Sequence, residues 1–111
     1  MMAYSYKKHK ETARKYITEK VVWFNNFYRF DFGKIAIRNQ KTRWGSCSRR
    51  RNLNFNFRLL FVPEKFVDYV VVHEICHLKE LNHSKAFWSL VSQAIPNYNI
   101  IRKELRKYKV L

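Results

Sequence analysis

The chain has 111 residues, 47% hydrophobic and 17% aromatic, with two glycines, two prolines and two cysteines. That is room for a single domain over residues 1–111 whose core needs no covalent staple, and it excludes a disulfide framework. No run approaches the roughly 18 apolar residues of a membrane span, and the opening MMAYSYKKHKETARK lacks the apolar stretch of a secretory signal. Cys47 and Cys76 stand far apart and in no CxxC pair, so a reducing cytoplasm is the expected compartment. The formal charge of +15 is large for this length. It is also uneven: residues 1–52 carry 14 Lys/Arg against 3 Asp/Glu, and residues 53–111 carry 9 against 5. Such a field attracts nucleic acid or another anionic ligand, but a solvated basic surface has the same composition.

From about Lys7 to Tyr28, Ala13, Tyr16, Ile17, Val21, Phe24 and Phe27/Tyr28 recur at helical spacing, and Asp31-Phe32-Gly33 breaks the pattern. Lys34–Arg38 alternates as a strand. After Arg43-Trp44-Gly45-Ser46-Cys47-Ser48 and a basic turn, Leu53, Phe55, Phe57 and Leu59 alternate with Asn54, Asn56 and Arg58. A small antiparallel sheet of two or three strands is expected. Pro63 suits a first helical turn and Glu64 its positive end, and the chain reads as helix to about Leu81. The centre of that helix, Tyr69-Val70-Val71-Val72, is apolar all round, which places it inside the domain. Ser84 caps a third helix to Ile95, and Pro96-Asn97 opens a fourth to about Tyr108. The class is α+β: an N-terminal helix, a small sheet, a buried helix and two C-terminal helices.

The buried helix carries His73-Glu74-Ile75-Cys76-His77, an HExxH. Residues four apart share a helical face, so both imidazoles reach one ion, while Glu74 lies about 100° round and is placed to meet a water on that ion. A catalytic zinc takes three protein ligands and keeps one position for water. His83 is the expected third ligand. On a continued helix it would point about 240° away from His77, so the chain must break between Leu78 and Asn82 and turn back. Asn82 tolerates the left-handed conformation used at many helix ends. Cys76 reads as a small buried side chain.

RWGSCS at 43–48, NLNFNFRL at 52–59 and DYVVVHEICHLKELNHSKAFW at 68–88 closely resemble the YgjP-like (SprT-like) zincin metallopeptidase domain, over nearly the whole chain. The resemblance implies a zincin fold with His73, His77 and His83 as Zn²⁺ ligands and Glu74 as catalytic base. It also implies a sheet beside the active-site helix whose edge strand holds an extended peptide. Many members carry a further N-terminal region, so this chain has the look of a minimal form. The x5 spacing to His83 also matches metzincins, but the glycine they place after the second histidine is Glu80 here.

Outside the ligands, Arg43, Tyr69 and Tyr98 are candidates for stabilising an oxyanion. Trp44-Gly45-Ser46 either lines the cleft or forms a hairpin bulge with a core tryptophan. Asn54 and Asn56 either orient a ligand imidazole or face solvent. Phe87, Trp88 and Val91 read as the core face of the third helix. The expected function is zinc-dependent peptide hydrolysis on a peptide or protein substrate. One alternative is hydrolysis of a nucleotide phosphoanhydride, which a cluster of Lys/Arg near the metal would favour. The other is a basic nucleic-acid-associated protease or binding module, marked by steeply salt-dependent binding.

Overall fold

The computed structural model describes residues 4–108. Ser5 accepts a hydrogen bond from the Lys8 amide (3.3 Å) and starts helix α1, Tyr6–Tyr28. The helix stops at Arg29, which adopts a left-handed φ of 57° and donates its amide to the Asn25 carbonyl, ahead of the expected break at Asp31. Ala13, Ile17, Val21 and Tyr28 face the core, while Tyr16 and Phe24 are half-buried and Phe27 is exposed.

Three strands follow: β1 (Ile35–Arg38), β2 (Gly45–Cys47) and β3 (Leu53–Asn56). Their order in the sheet is β1-β3-β2. The β2–β3 hairpin is antiparallel, but β1 runs parallel to β3, so the sheet is mixed rather than antiparallel throughout. Composition is consistent with the order. Leu53 and Phe55 are fully buried and suit a central strand, whereas Gly-Ser-Cys offers little apolar surface and suits an edge. The connection from β1 to β2 is pinned by Asn56, whose amide donates to the carbonyls of Gln40 (2.6 Å) and Arg43 (3.0 Å).

β3 is also shorter than its alternation implies. The Asn56 side chain accepts from the Arg58 amide (3.0 Å) and turns the chain into a 3₁₀ segment, Phe57–Phe61. Phe57 and Leu59 remain core residues despite the change of backbone.

Helix α2 (Glu64–Cys76) is the centre of the domain, with Phe66, Val67, Val71, Val72, Ile75 and Cys76 at 1% exposure or less. Lys20 ties α1 to it through Glu64 (2.6 Å) and Asp68 (2.8 Å). The helix ends at Cys76, short of the expected Leu81, and its last turn tightens through Leu78 N–H to Ile75 O and Lys79 N–H to Cys76 O. The break is not made by a left-handed Asn82. Among the described residues only Arg29 and Arg51 have positive φ, and Arg51 (φ 68°) donates from its guanidinium to the carbonyls of Leu78 (3.2 Å) and Asp31 (2.8 Å).

Ser84 caps α3 (Lys85–Ala94) by accepting from Phe87 N–H, as its position suggested, and α4 (Tyr98–Leu105) packs back on α2. No helix of the described residues is long and apolar enough to cross a membrane.

Candidate metal centre

The early stop of α2 leaves His73 in its last turn, His77 at its C-cap and His83 on the returning loop. Their Nε2 atoms converge: His73–His77 3.2 Å, His77–His83 3.0 Å, His73–His83 3.2 Å. An ion about 2.0–2.1 Å from each nitrogen in tetrahedral geometry asks for separations of roughly 3.3–3.4 Å, so the donor set fits one zinc-sized cation. Among the described residues this is the one group of three or more His, Cys, Asp or Glu side chains so gathered.

The rings are fixed from behind. His77 Nδ1 lies 3.0 Å from the Glu80 carbonyl, which can only accept, so the proton sits on Nδ1 and Nε2 keeps its lone pair. His73 Nδ1 lies 3.3 Å from the Tyr69 hydroxyl. Phe87, fully buried on α3, packs against all three imidazoles at centroid distances of 4.5–5.0 Å. Trp88 stacks on His83 (5.7 Å, 26°) and on Tyr98 (5.0 Å, 10°).

Burial and the neighbouring imidazoles push His73 down to about 3, and burial lowers His77 as well, so both are neutral near pH 7. That is the protonation state a metal requires. Glu74 is 5% exposed; burial drives its carboxyl up to about 8, with the Arg43 charge pulling the other way. Among the described residues no hydrogen bond engages its carboxylate. It lines a cleft of about 310 Å³ together with Gly45, Ser46, Cys47 and the three histidines. A carboxylate with raised proton affinity, beside three converging lone pairs and open to a cleft, is equipped to take a proton from water.

Strand β2 forms the opposite wall, and its approach is close. A Cβ at Gly45 would lie 3.1 Å from Asn54 O, 3.1 Å from Val70 Cγ1 and 3.2 Å from Glu74 Cγ. Gly45 lines this cleft, and half-buried Trp44, which also packs against the core, lines with Gly45 the adjoining recess beside His73 and Glu74. Of the oxyanion candidates, Tyr69 touches His73, Arg43 acts on Glu74 through its charge, and Tyr98 is taken up by its stack on Trp88. Asn54 and Asn56 orient no imidazole: Asn54 accepts from Arg38 Nε (3.3 Å), and Asn56 is buried beneath the 40–43 loop. Phe87 and Val91 are core as expected, but Trp88 is half-buried against His83. The Glu80 carbonyl and the Arg51 clamp had no sequence signal, since neither depends on an identifiable motif.

Fold and site together define a small α+β protein of the metallohydrolase type. The YgjP-like, metallopeptidase domain family matches residues 3–108, and the chain belongs to that family. Two solved structures share the fold. Abylysin of Pyrococcus abyssi, a metallopeptidase zymogen, superposes with a TM-score of 0.72 at 20% identity, covering 80% of this chain and 90% of that one. Jannalysin of Methanocaldococcus jannaschii, also a metallopeptidase zymogen, gives 0.71 at 19% identity, covering 82% and 94%. A UTP pyrophosphatase of Escherichia coli (strain K12) is 43% identical over 44 residues, which is 40% of this chain and 26% of that protein. The matched stretch thus spans about a quarter of that curated relative.

Proposed function

We propose that the chain is a zinc metallopeptidase in which His73, His77 and His83 hold the metal and Glu74 is the general base. The carrying observation is the convergence of three Nε2 atoms within 3.2 Å next to a buried, unengaged carboxylate. A zinc ion at three imidazoles supplies Lewis acidity, making water acidic near neutral pH and polarising a carbonyl. Glu74 takes the proton of the attacking water and passes it to the departing amine nitrogen. Glu80 and Tyr69 hold the rings of His77 and His73 in place, and burial excludes competing solvent around the carboxylate. The free edge of β2 runs beside Glu74 and offers backbone groups to an extended substrate. The two thiols are free, which fits a reducing, cytoplasmic setting.

The test is cleavage of denatured casein by zinc-loaded protein beside zinc-loaded Glu74→Gln. Cleavage that falls by about 10²–10⁴-fold in the variant at equal zinc content supports the reading. Equal cleavage by both proteins contradicts it. The likeness to a UTP pyrophosphatase and the +15 charge favour a second reading, attack on a nucleotide phosphoanhydride by the same machinery. Release of pyrophosphate from UTP, again abolished in Glu74→Gln, would select it over the first.

A further inference from the structure

Next to the metal cleft lies a second cavity, of about 490 Å³, that the chemistry above leaves unused. Its cations are Lys41, Arg102 and Arg106, and its rings are Trp44, Tyr69 and Tyr108. Trp44 and Tyr69 also line the recess that holds His73 and Glu74, so the two spaces share a wall. The three cations come from different parts of the chain, one ahead of β2 and two from the α4 end.

None of the three meets a carboxylate among the described residues, where the ion pairs involve Arg14, Lys20 and Lys65 instead. Arg102 is held in place without an anion, its guanidinium lying 5.1 Å over the Trp88 ring that also stacks on His83. Its positive charge is felt at His73, and with Arg106 at Tyr69. Two guanidiniums and an ammonium facing one aromatic-walled cavity form a receptor for a small planar anion, because a guanidinium fork pairs with a carboxylate through two parallel hydrogen bonds.

We propose that this cavity is a specificity subsite that takes the side-chain carboxylate of an acidic peptide close to the scissile bond. The assignment rests on the metallopeptidase reading. A chain lying along β2 and over Glu74 continues past Trp44, where its next side chains meet Lys41, Arg102 and Arg106. The carboxylate displaces water from cations that meet no carboxylate among the described residues, so acidic sequences are selected over their neutral isosteres.

Two arms test the subsite. In the first, zinc-loaded protein digests a synthetic peptide library in which every Glu-containing sequence has a Gln counterpart, read by mass spectrometry. Wild type should cut Glu members at least tenfold faster, and the ratio should collapse toward one in the double variant Lys41→Ala/Arg106→Ala. Lys41 and Arg106 are both exposed, and zinc content and melting temperature verify that the variant is intact. In the second arm, zinc-loaded Glu74→Gln binds the same matched peptides, followed by tryptophan fluorescence, so recognition is read without cleavage. Cleavage without a Glu preference overturns the subsite and leaves the peptidase intact. Glu-selective binding without cleavage supports the subsite and overturns the peptidase. Tight binding of inorganic triphosphate with no Glu/Gln discrimination overturns the carboxylate assignment in favour of a phosphate ligand.

Discussion

Glu74 and His73 sit one residue apart in the same buried turn, yet burial moves them in opposite directions. The unfolded chain takes up a proton at a histidine near its ordinary value of 6.5, whereas the folded metal-free protein holds His73 at about 3. That part of the stability is present above pH 6.5 and is lost as the pH falls toward 3. Glu74, raised from 4.5 to about 8, contributes with the reverse sign: its share is present below 4.5 and is lost as the pH rises to 8. Between pH 5 and 7 the two oppose each other, about one proton apiece. Metal-free Glu74→Gln keeps only the histidine part, so its melting temperature should drop more steeply from pH 7 to pH 5 than that of wild type. Parallel curves would show that Glu74 titrates normally. At Gly45 the nearest atoms are the Asn54 carbonyl oxygen, a methyl of Val70 and Cγ of Glu74, none of them the far end of a flexible side chain. Gly45→Ala should therefore cost about 1–3 kcal/mol in urea denaturation, with reduced turnover because Glu74 Cγ is among the atoms displaced.

At the scale of elements, α2 and β3 show what a sequence does and does not carry. The HExxH, the Ser84 cap and the need for a break before His83 are local patterns, and each appears where spacing puts it. The ends of α2 and β3 are different, because distant or off-pattern contacts set them. Asn56 diverts β3 into a 3₁₀ turn although Phe57 and Leu59 keep the strand alternation, and the carbonyl of Leu78 is met by Arg51 from the hairpin turn. Sheet order has the same origin. Alternation identifies strands, but which strand lies in the middle depends on how the 39–44 connection is held, and that is the work of Asn56 and Arg58 side chains. The Arg51 clamp is directly testable. Arg51→Ala loses its hydrogen bonds and keeps the left-handed strain, whereas Arg51→Gly loses the bonds and relieves the strain. Arg51→Ala should be the less stable of the two by about 1 kcal/mol, measured by urea denaturation. The reverse order would mean that the φ of 68° carries no cost.

Across the whole molecule, a basic field surrounds the three-histidine centre. Glu74 is buried and His73 and His77 are half-buried behind Phe87, Trp88 and β2, whereas His83 is exposed; Lys41, Arg102 and Arg106 line the neighbouring cavity, and the charge of Arg43 reaches Glu74. Surface charge is screened by salt over about 8–10 Å at ordinary ionic strength, whereas direct coordination by three imidazole nitrogens does not depend on long-range charge. Raising salt should therefore weaken capture of anionic substrate, seen as a rise in KM, without releasing metal. A large loss of metal on adding salt would show that long-range charge, not coordination by three nitrogens, holds the ion.

That centre is tested most directly by elemental analysis of purified protein, wild type beside His83→Ala, with circular dichroism to verify folding. His83 is exposed and lies outside the helices, so its removal should leave the fold intact. About one zinc per wild-type chain, lost or sharply weakened in the variant, is the result the three-histidine centre requires. Wild-type protein that binds no metal, or a variant that retains its zinc unchanged, would contradict it.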